Sequence, residues 1–321
     1  MIESKYFRLL DRKLPVMGLG TWRLGSRGDR SIDVLRRGLD LGLTMIDTAE
    51  SYAFGYEEQL VGEAIKGYNR DDLFIITKVA PNRRRSEILE AAQRSVRNLG
   101  THIDLYLLHA PHIVEGTMKE RMLGLEDTVG KGYARSIGVS NFKVSQIEEA
   151  RSYLSKNDIV AVENKLNLFD KYWLNDVVSY CQQEGMAFIA YTPLDTGRTM
   201  IDNGKLSSFA RKYEKTNIQV ALNWLHSIDS VISIPKFGKE KHLLESIGSL
   251  NWRLSKEDWN TLTEEYKLVD GYNMTNWMMI RENIRYYFTP RLFKLYASYY
   301  KNPKHFIEYI QGTKWKKRNH L

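Results

Sequence analysis

Three apolar runs each end on a residue able to handle protons. IDTAESY places Asp47 at the end of its run and Tyr52 just beyond, FIITKV places Lys78, and LYLLHAP places His109. A tyrosine titrates near about 10 and is a poor proton donor at neutral pH, but a nearby ammonium favours the phenolate and strengthens the acid. Lys78 supplies that ammonium. A buried lysine tends to lose its own proton unless an anion lies beside it, and Asp47 meets that need. His109 would then donate a hydrogen bond to a substrate carbonyl while Tyr52 protonates the developing alkoxide. The hydride must come from a cofactor, because no side chain supplies one. Singly, each residue has a plainer reading: a structural ion pair, a core histidine, a surface loop tyrosine. Four of them at the ends of adjacent runs favour chemistry.

Bringing these ends together requires a particular scaffold. Short apolar or β-branched runs recur at 16–22, 44–49, 73–79, 103–109, 134–140, 160–166, 187–192 and 231–235. Between them lie segments with helical spacing, such as Ile32, Leu35 and Leu39, or Ile147, Ala150 and Leu154. Strands separated by helices pair in parallel, and eight such units predict a (β/α)8 TIM barrel, an α/β fold whose strand ends face one mouth. A doubly wound open sheet is the alternative. It lacks support, since GLGTWRLG has Arg23 where a dinucleotide fingerprint needs its third glycine. The segment 124–132 fails as a phosphate loop: its glycines are one residue too far apart and no Ser or Thr follows Lys131. A hairpin over 6–14 is predicted to plug the barrel's N-terminal end, and two helices, over 205–213 and 218–226, fit between the last two strands.

With 43% hydrophobic and 12% aromatic residues, the 321-residue chain has enough apolar side chains for one large core. The single cysteine, Cys181, excludes an internal disulfide and a cysteine-based metal cluster, so no metal is predicted. The first residues carry no signal-peptide core, and no run approaches about 18 uncharged apolar residues, so a cytoplasmic protein is expected. The net charge of +8 is uneven. Residues 271–321 hold ten Lys/Arg against Glu282 and Glu308, and 12 of the 37 aromatics. The domain reading is therefore a catalytic and cofactor-binding barrel over 1–270 and a basic, aromatic-rich helical extension over 271–321. Ile280, Ile284 and Tyr287, then Leu292, Leu295, Tyr296 and Tyr299, form apolar helical faces suited to packing on the barrel or on a second copy. A membrane-surface or nucleic-acid contact through KWKKR at 314–318 is the less favoured use of the tail.

These motifs resemble the aldo-keto reductase family over roughly residues 8–266. GLGTW at 18–22, IDTAESY followed by EEQLVGEAI, ITKV, LYLLHAP, GKGYARSIGVSNF at 130–142, AYTPL at 190–194 and ISIPK at 232–236 occur in the family's order. The resemblance implies that Tyr52 is the general acid, that Lys78 and Asp47 tune it, and that His109 orients the carbonyl. It also implies that Ser140 and Asn141 hold a nicotinamide carboxamide and Tyr191 stacks on the ring. Gly20, Thr21, Trp22, Pro193, Leu194 and Pro235 then line the cofactor groove. Trp22, Phe54 and Ala110 face the substrate, Ala110 standing where many relatives place a bulky Trp.

Four positions depart from the family's pattern. Glu163 stands where Gln usually contacts the carboxamide, and an ionised carboxylate donates no hydrogen bond. Lys236 is in place to meet an adenosine 2′-phosphate, but Phe237 and His242 occupy positions usually held by Ser or Thr and by Arg. Glu245 would face the adenine amine, with Ser246 replacing a common Asn. Lys236 still favours NADP(H), with NAD(H) possible. The predicted function is NADP(H)-dependent reduction of a small aldehyde, ketone or sugar. The alternative is a redox-sensing partner subunit that keeps the cofactor and docks through the tail, similar to the barrel subunits of some ion channels.

Overall fold

Strands buried on both faces demand a parallel sheet with helices packed outside it, and the runs found in the sequence are buried in this way. The computed structural model describes residues 3–7, 10–25, 30–111, 116–195, 199 and 204–266. The chain opens with an antiparallel pair, β1 (Ser4–Phe7) and β2 (Arg12–Pro15), in register from Ser4 opposite Pro15 to Phe7 opposite Arg12. The barrel strands follow: β3 (Leu19–Gly20), β4 (Met45–Asp47), β5 (Phe74–Val79), β6 (Ile103–Leu108), β7 (Ala134–Ser140), β8 (Ile159–Lys165), β9 (Ala187–Tyr191) and β10 (Val231–Ser233). They lie side by side in chain order, each parallel to the next. The ring closes between its first and last members. Met17 bridges Ser233 and Gly20 bridges Lys236, through Gly18 N–H to the Ser233 carbonyl at 2.8 Å and Gly20 N–H to the Pro235 carbonyl at 2.9 Å. The predicted (β/α)8 barrel is the observed fold.

The hairpin plugs the N-terminal end, as predicted. Phe7 and Leu14 join Met45, Phe74, Leu105 and Ile232 in the core inside the ring. Lys5 fastens the hairpin to the far side of the barrel, donating to the carbonyls of His226 at 2.9 Å and Ile228 at 2.6 Å. The second core lies between the strands and the helices around them. These helices are α1 (Arg30–Asp40), α2 (Tyr56–Ala64), α3 (Arg85–Leu99), α4 (Met118–Gly130), α5 (Val144–Ser152), α6 (Ser179–Glu184), α7 (Lys205–Lys212), α8 (Asn217–His226), α9 (Glu240–Ile247) and α10 (Lys256–Glu265). Helices α7 and α8 are the predicted pair before the last strand. Local signals explain several ends. Thr117 and Glu120 form a reciprocal capping box on α4, and Gly100 closes α3 at φ 69°.

Helix α2 approaches α3 closely through Gly62, where a Cβ would fall 2.6 Å from the Asn98 carbonyl oxygen and 2.8 Å from that of Leu99. Both atoms are backbone and yield little. Gly62→Ala is therefore expected to cost about 1–3 kcal/mol of stability, seen as a lower urea midpoint at unchanged slope.

The first strand is shorter than predicted, with a ladder only at Leu19–Gly20. Beyond it Arg23 adopts φ 61° and stacks its guanidinium 4.4 Å over the Trp22 ring, which turns the chain away from the sheet. Cys181 is fully buried, and burial pushes its thiol well up, so it stays protonated and unreactive. Among the described residues no helix is long and apolar enough to cross a membrane. The predicted extension at 271–321, with its helical faces and its basic end, lies outside the described residues.

Candidate active site

Because β4 and β5 run parallel and in register, the segment leaving β4 continues along the end of β5. Thr48 N–H bonds to the Ile76 carbonyl at 2.9 Å and Glu50 N–H to the Lys78 carbonyl at 3.2 Å. This track brings Tyr52 back over Lys78. The fully buried ammonium donates to the Asp47 carboxylate, to the Thr48 carbonyl at 3.0 Å and to the Tyr52 hydroxyl at 3.5 Å. The Tyr52 ring begins a short turn, Tyr52–Gly55, in which Ala53 (φ 45°), Phe54 (φ 58°) and Gly55 (φ 84°) are all left-handed. Two successive non-glycine residues in that region store strain, which a functional site has reason to retain. His109 enters from β6, its ring edge-on to Tyr52 with centroids 5.8 Å apart. Ser51 Oγ holds the ring from its Nδ1 side at 3.4 Å. The four residues singled out from the sequence meet at one mouth.

A fifth group joins them from across the barrel. Glu163, on β8, lies with its Oε1 3.3 Å from the Lys78 ammonium. Burial alone would strip Lys78 of its proton, but the carboxyls of Asp47 and Glu163 outweigh it and raise its pKa. Burial raises Asp47 against the pull of Lys78. Glu163 is pushed well above the carboxylate range, first by burial and then by the charge on Asp47. The cation is therefore the securely charged member of the cluster.

Beside the cluster, β7 and its exit form a polar shelf. Asn141, at φ 66°, donates through Nδ2 to the His109 carbonyl at 2.9 Å and to Ser140 Oγ at 3.0 Å, while its Oδ1 accepts from the Tyr191 hydroxyl at 2.7 Å. On the other side Thr21 is buried and bonds through Oγ1 to the Asp47 carbonyl at 2.9 Å. Gly20 allows β3 to touch β10, since a Cβ there would fall 2.6 Å from the Ile234 carbonyl oxygen.

The family model for the aldo/keto reductases matches residues 16–267. This chain belongs to the aldo/keto reductase family. It is 32% identical over 270 residues to a methylglyoxal reductase, YeaE, of Escherichia coli, covering 81% of this chain and 94% of that one. A glyoxal reductase of Bacillus subtilis is 31% identical, covering 78% and 88%. An aldo/keto reductase of Klebsiella pneumoniae, solved in complex with NADP and acetate, superposes with a TM-score of 0.76 at 28% identity, covering 85% of this chain and 98% of that one.

The remaining positions of this aldo/keto reductase divide into two groups. Trp22, Phe54 and the buried Ala110 border the mouth, with Pro193 buried and Leu194 partly exposed after β9. Pro235 is buried at the barrel's closing seam, and Lys236 follows it, exposed. His242 and Glu245 lie one turn apart on α9, His242 exposed and Glu245 partly so. Phe237 is only 4% exposed and packs into the outer core, so it offers no polar group to a ligand. From the sequence Glu163 reads as a lost donor, and its contact with Lys78 emerges only in the fold. So does the role of Glu57, whose carboxyl accepts from the backbone N–H groups of Arg23, Leu24 and Gly25 and is pushed up to about 8 by burial. The paired acids in the first turn of α2 were the available signal. No group of three or more metal-ligating side chains occurs among the described residues.

Proposed function

We propose that this chain reduces small aldehydes and ketones to alcohols, taking NADP(H) in preference to NAD(H), with Tyr52 as the proton donor. The observation that carries the reading is the contact of Tyr52 with a buried, doubly flanked ammonium at a barrel mouth, with His109 edge-on to the phenol. The named activities of the Escherichia coli and Bacillus subtilis relatives favour reactive small aldehydes as substrates.

When bound, the cofactor supplies the hydride. The residues present fit its nicotinamide end. Both Nδ2 protons of Asn141 are engaged, so this residue offers Oδ1 as an acceptor, while the Ser140 hydroxyl, which accepts from Asn141, retains a proton to donate. Glu163 Oε2 is buried without a protein partner and offers a second acceptor. One donor and two acceptors suit the C=O and NH2 of a carboxamide. The Tyr191 ring is held by its hydroxyl and presents a face. At the reacting carbonyl, His109 orients the oxygen and Tyr52 gives it a proton. The ammonium of Lys78 stabilises the phenolate left behind.

Steady-state oxidation of NADPH across a panel of small aldehydes, sugars and aromatic ketones tests this reading, and no turnover with any of them would end it. Lys236 is assigned to the cofactor's 2′-phosphate. Lys236→Ala is expected to weaken NADPH binding about tenfold or more, the worth of a charged hydrogen bond, and to leave NADH binding unchanged. Fluorescence titration with both cofactors reads the difference. A cytoplasmic location and self-association through 271–321 go with the same reading, and sedimentation of the full chain measures its copy number.

A further inference from the structure

Lys78 has two carboxyls beside it and one charge to share. Asp47, on β4, is 2% exposed, Glu163, on β8, is 2% exposed, and Lys78, on β5 between them, is 0% exposed. Were both acids ionised, the cluster would carry a buried net charge of −1, which is strongly disfavoured in a dry interior. Among the described residues no other cation is paired with either acid. Tyr52 and His109 also face the cluster, and neither brings a permanent positive charge. The neighbours of Glu163 on the flanking strands are Ser140 on β7 and Ile189 on β9, which do not ionise. Lys165, two residues further along β8, is bound to Asp170 at 3.0 Å and Asp195 at 3.3 Å.

The contacts themselves say where a proton sits. Asp47 and Glu163 both face one buried ammonium, and two buried carboxyls beside a single cation reach zero net charge only when one of them keeps its proton. Asp47 is the closer partner of the ammonium, with Glu163 Oε1 at 3.3 Å. The weaker partner of the cation is the one to hold the proton. The other oxygen of Glu163, Oε2, is buried and has no hydrogen-bond partner.

We propose that Glu163 is a neutral carboxylic acid, donating to Asp47 and keeping Oε2 as an acceptor, and that it acts as a positioning residue. By holding the cluster at zero net charge it leaves the Lys78 ammonium shared with Tyr52. A neutral acid has one O–H donor where the amide of Gln has two N–H donors, and here that single donor faces Asp47. Ionisation of Glu163 would place a second anion on Lys78, draw the ammonium from Tyr52 and weaken the phenol as an acid.

The strong upward shift of Glu163 fixes the sign of the stability effect. Between the ordinary carboxylate range and its folded value, the native chain binds a proton that the unfolded chain has released, so stability falls as pH rises through that window. Gln takes no part in that linkage. Relative to wild type, Glu163→Gln is expected to gain stability from about pH 5 to about pH 8, by up to about tenfold in the folding equilibrium per pH unit. Urea titrations at the two pH values measure the gain. The wild-type minus Glu163→Gln infrared difference spectrum at neutral pH is expected to show the carbonyl band of a protonated carboxyl. A stability change equal at both pH values, with only carboxylate bands in the difference spectrum, would overturn the proposal.

The positioning role is read from the alkaline limb of the kcat profile, expected to move to higher pH in Glu163→Gln. An unmoved limb would reduce Glu163 to a structural acid. Only this last readout rests on the reductase reading. The spectrum and the urea titrations report the carboxyl in a chain with no turnover at all, so failure of one reading leaves the other standing.

Discussion

Tyr52→Phe is expected to lower kcat for carbonyl reduction by about 10²–10⁴, the usual worth of a positioned general acid, while NADPH binding stays within about twofold of wild type. The ring of Tyr52 packs edge-on to His109 and beneath it lies the Lys78 ammonium, 5.1 Å from the ring centroid. Phe preserves both contacts and loses only the hydroxyl. The variant therefore separates chemistry from architecture. Near-normal turnover in stopped-flow and steady-state assays would remove Tyr52 from the reaction and pass proton donation to another group.

The largest effect on folding is expected from Lys78→Met. Met fills most of the stem's volume, but it withdraws the one cation from between Asp47 and Glu163 and leaves the Thr48 carbonyl without that donor. Breaking a buried charge pair by removing one partner costs about 3–5 kcal/mol, a large share of the roughly 5–15 kcal/mol that hold a domain folded. The urea midpoint should fall accordingly. Adding Asp47→Asn should restore part of the loss, because the uncompensated carboxylate is its main source. Turnover should not return, since the phenol still lacks its ammonium. A double variant no more stable than Lys78→Met would show that the loss comes from packing and not from charge.

The barrel was legible because its strands are marked twice, by apolar runs of the right length and by a proton-handling residue at the end of three of them. Asp47, Lys78 and His109 could be placed at one level by counting along those runs. Glu163 could not. It also sits late in an apolar run, but the run comes from the opposite side of the ring, and nothing in VENK says that its glutamate reaches the ammonium of Lys78. That is a fact of register and closure, settled by the Ser140–Glu163 pairing. The same limit hid Glu57, whose partners are backbone N–H groups of a distant loop. Phe237 shows another case: where the family usually places a Ser or Thr, this chain has an aromatic ring that is drawn into the core.

The seam between β3 and β10 also bears on how the molecule is made. Its two sides are translated at nearly opposite ends of the described chain, so a growing polypeptide carries an open, apolar strand edge until residue 236 has emerged. Contacts so distant in sequence form late and slowly. During that interval the half-finished ring is a natural client for a chaperone and a risk for edge-to-edge sticking. Synthesis rate and temperature should therefore govern the yield of soluble protein more than the chemistry of the mouth does.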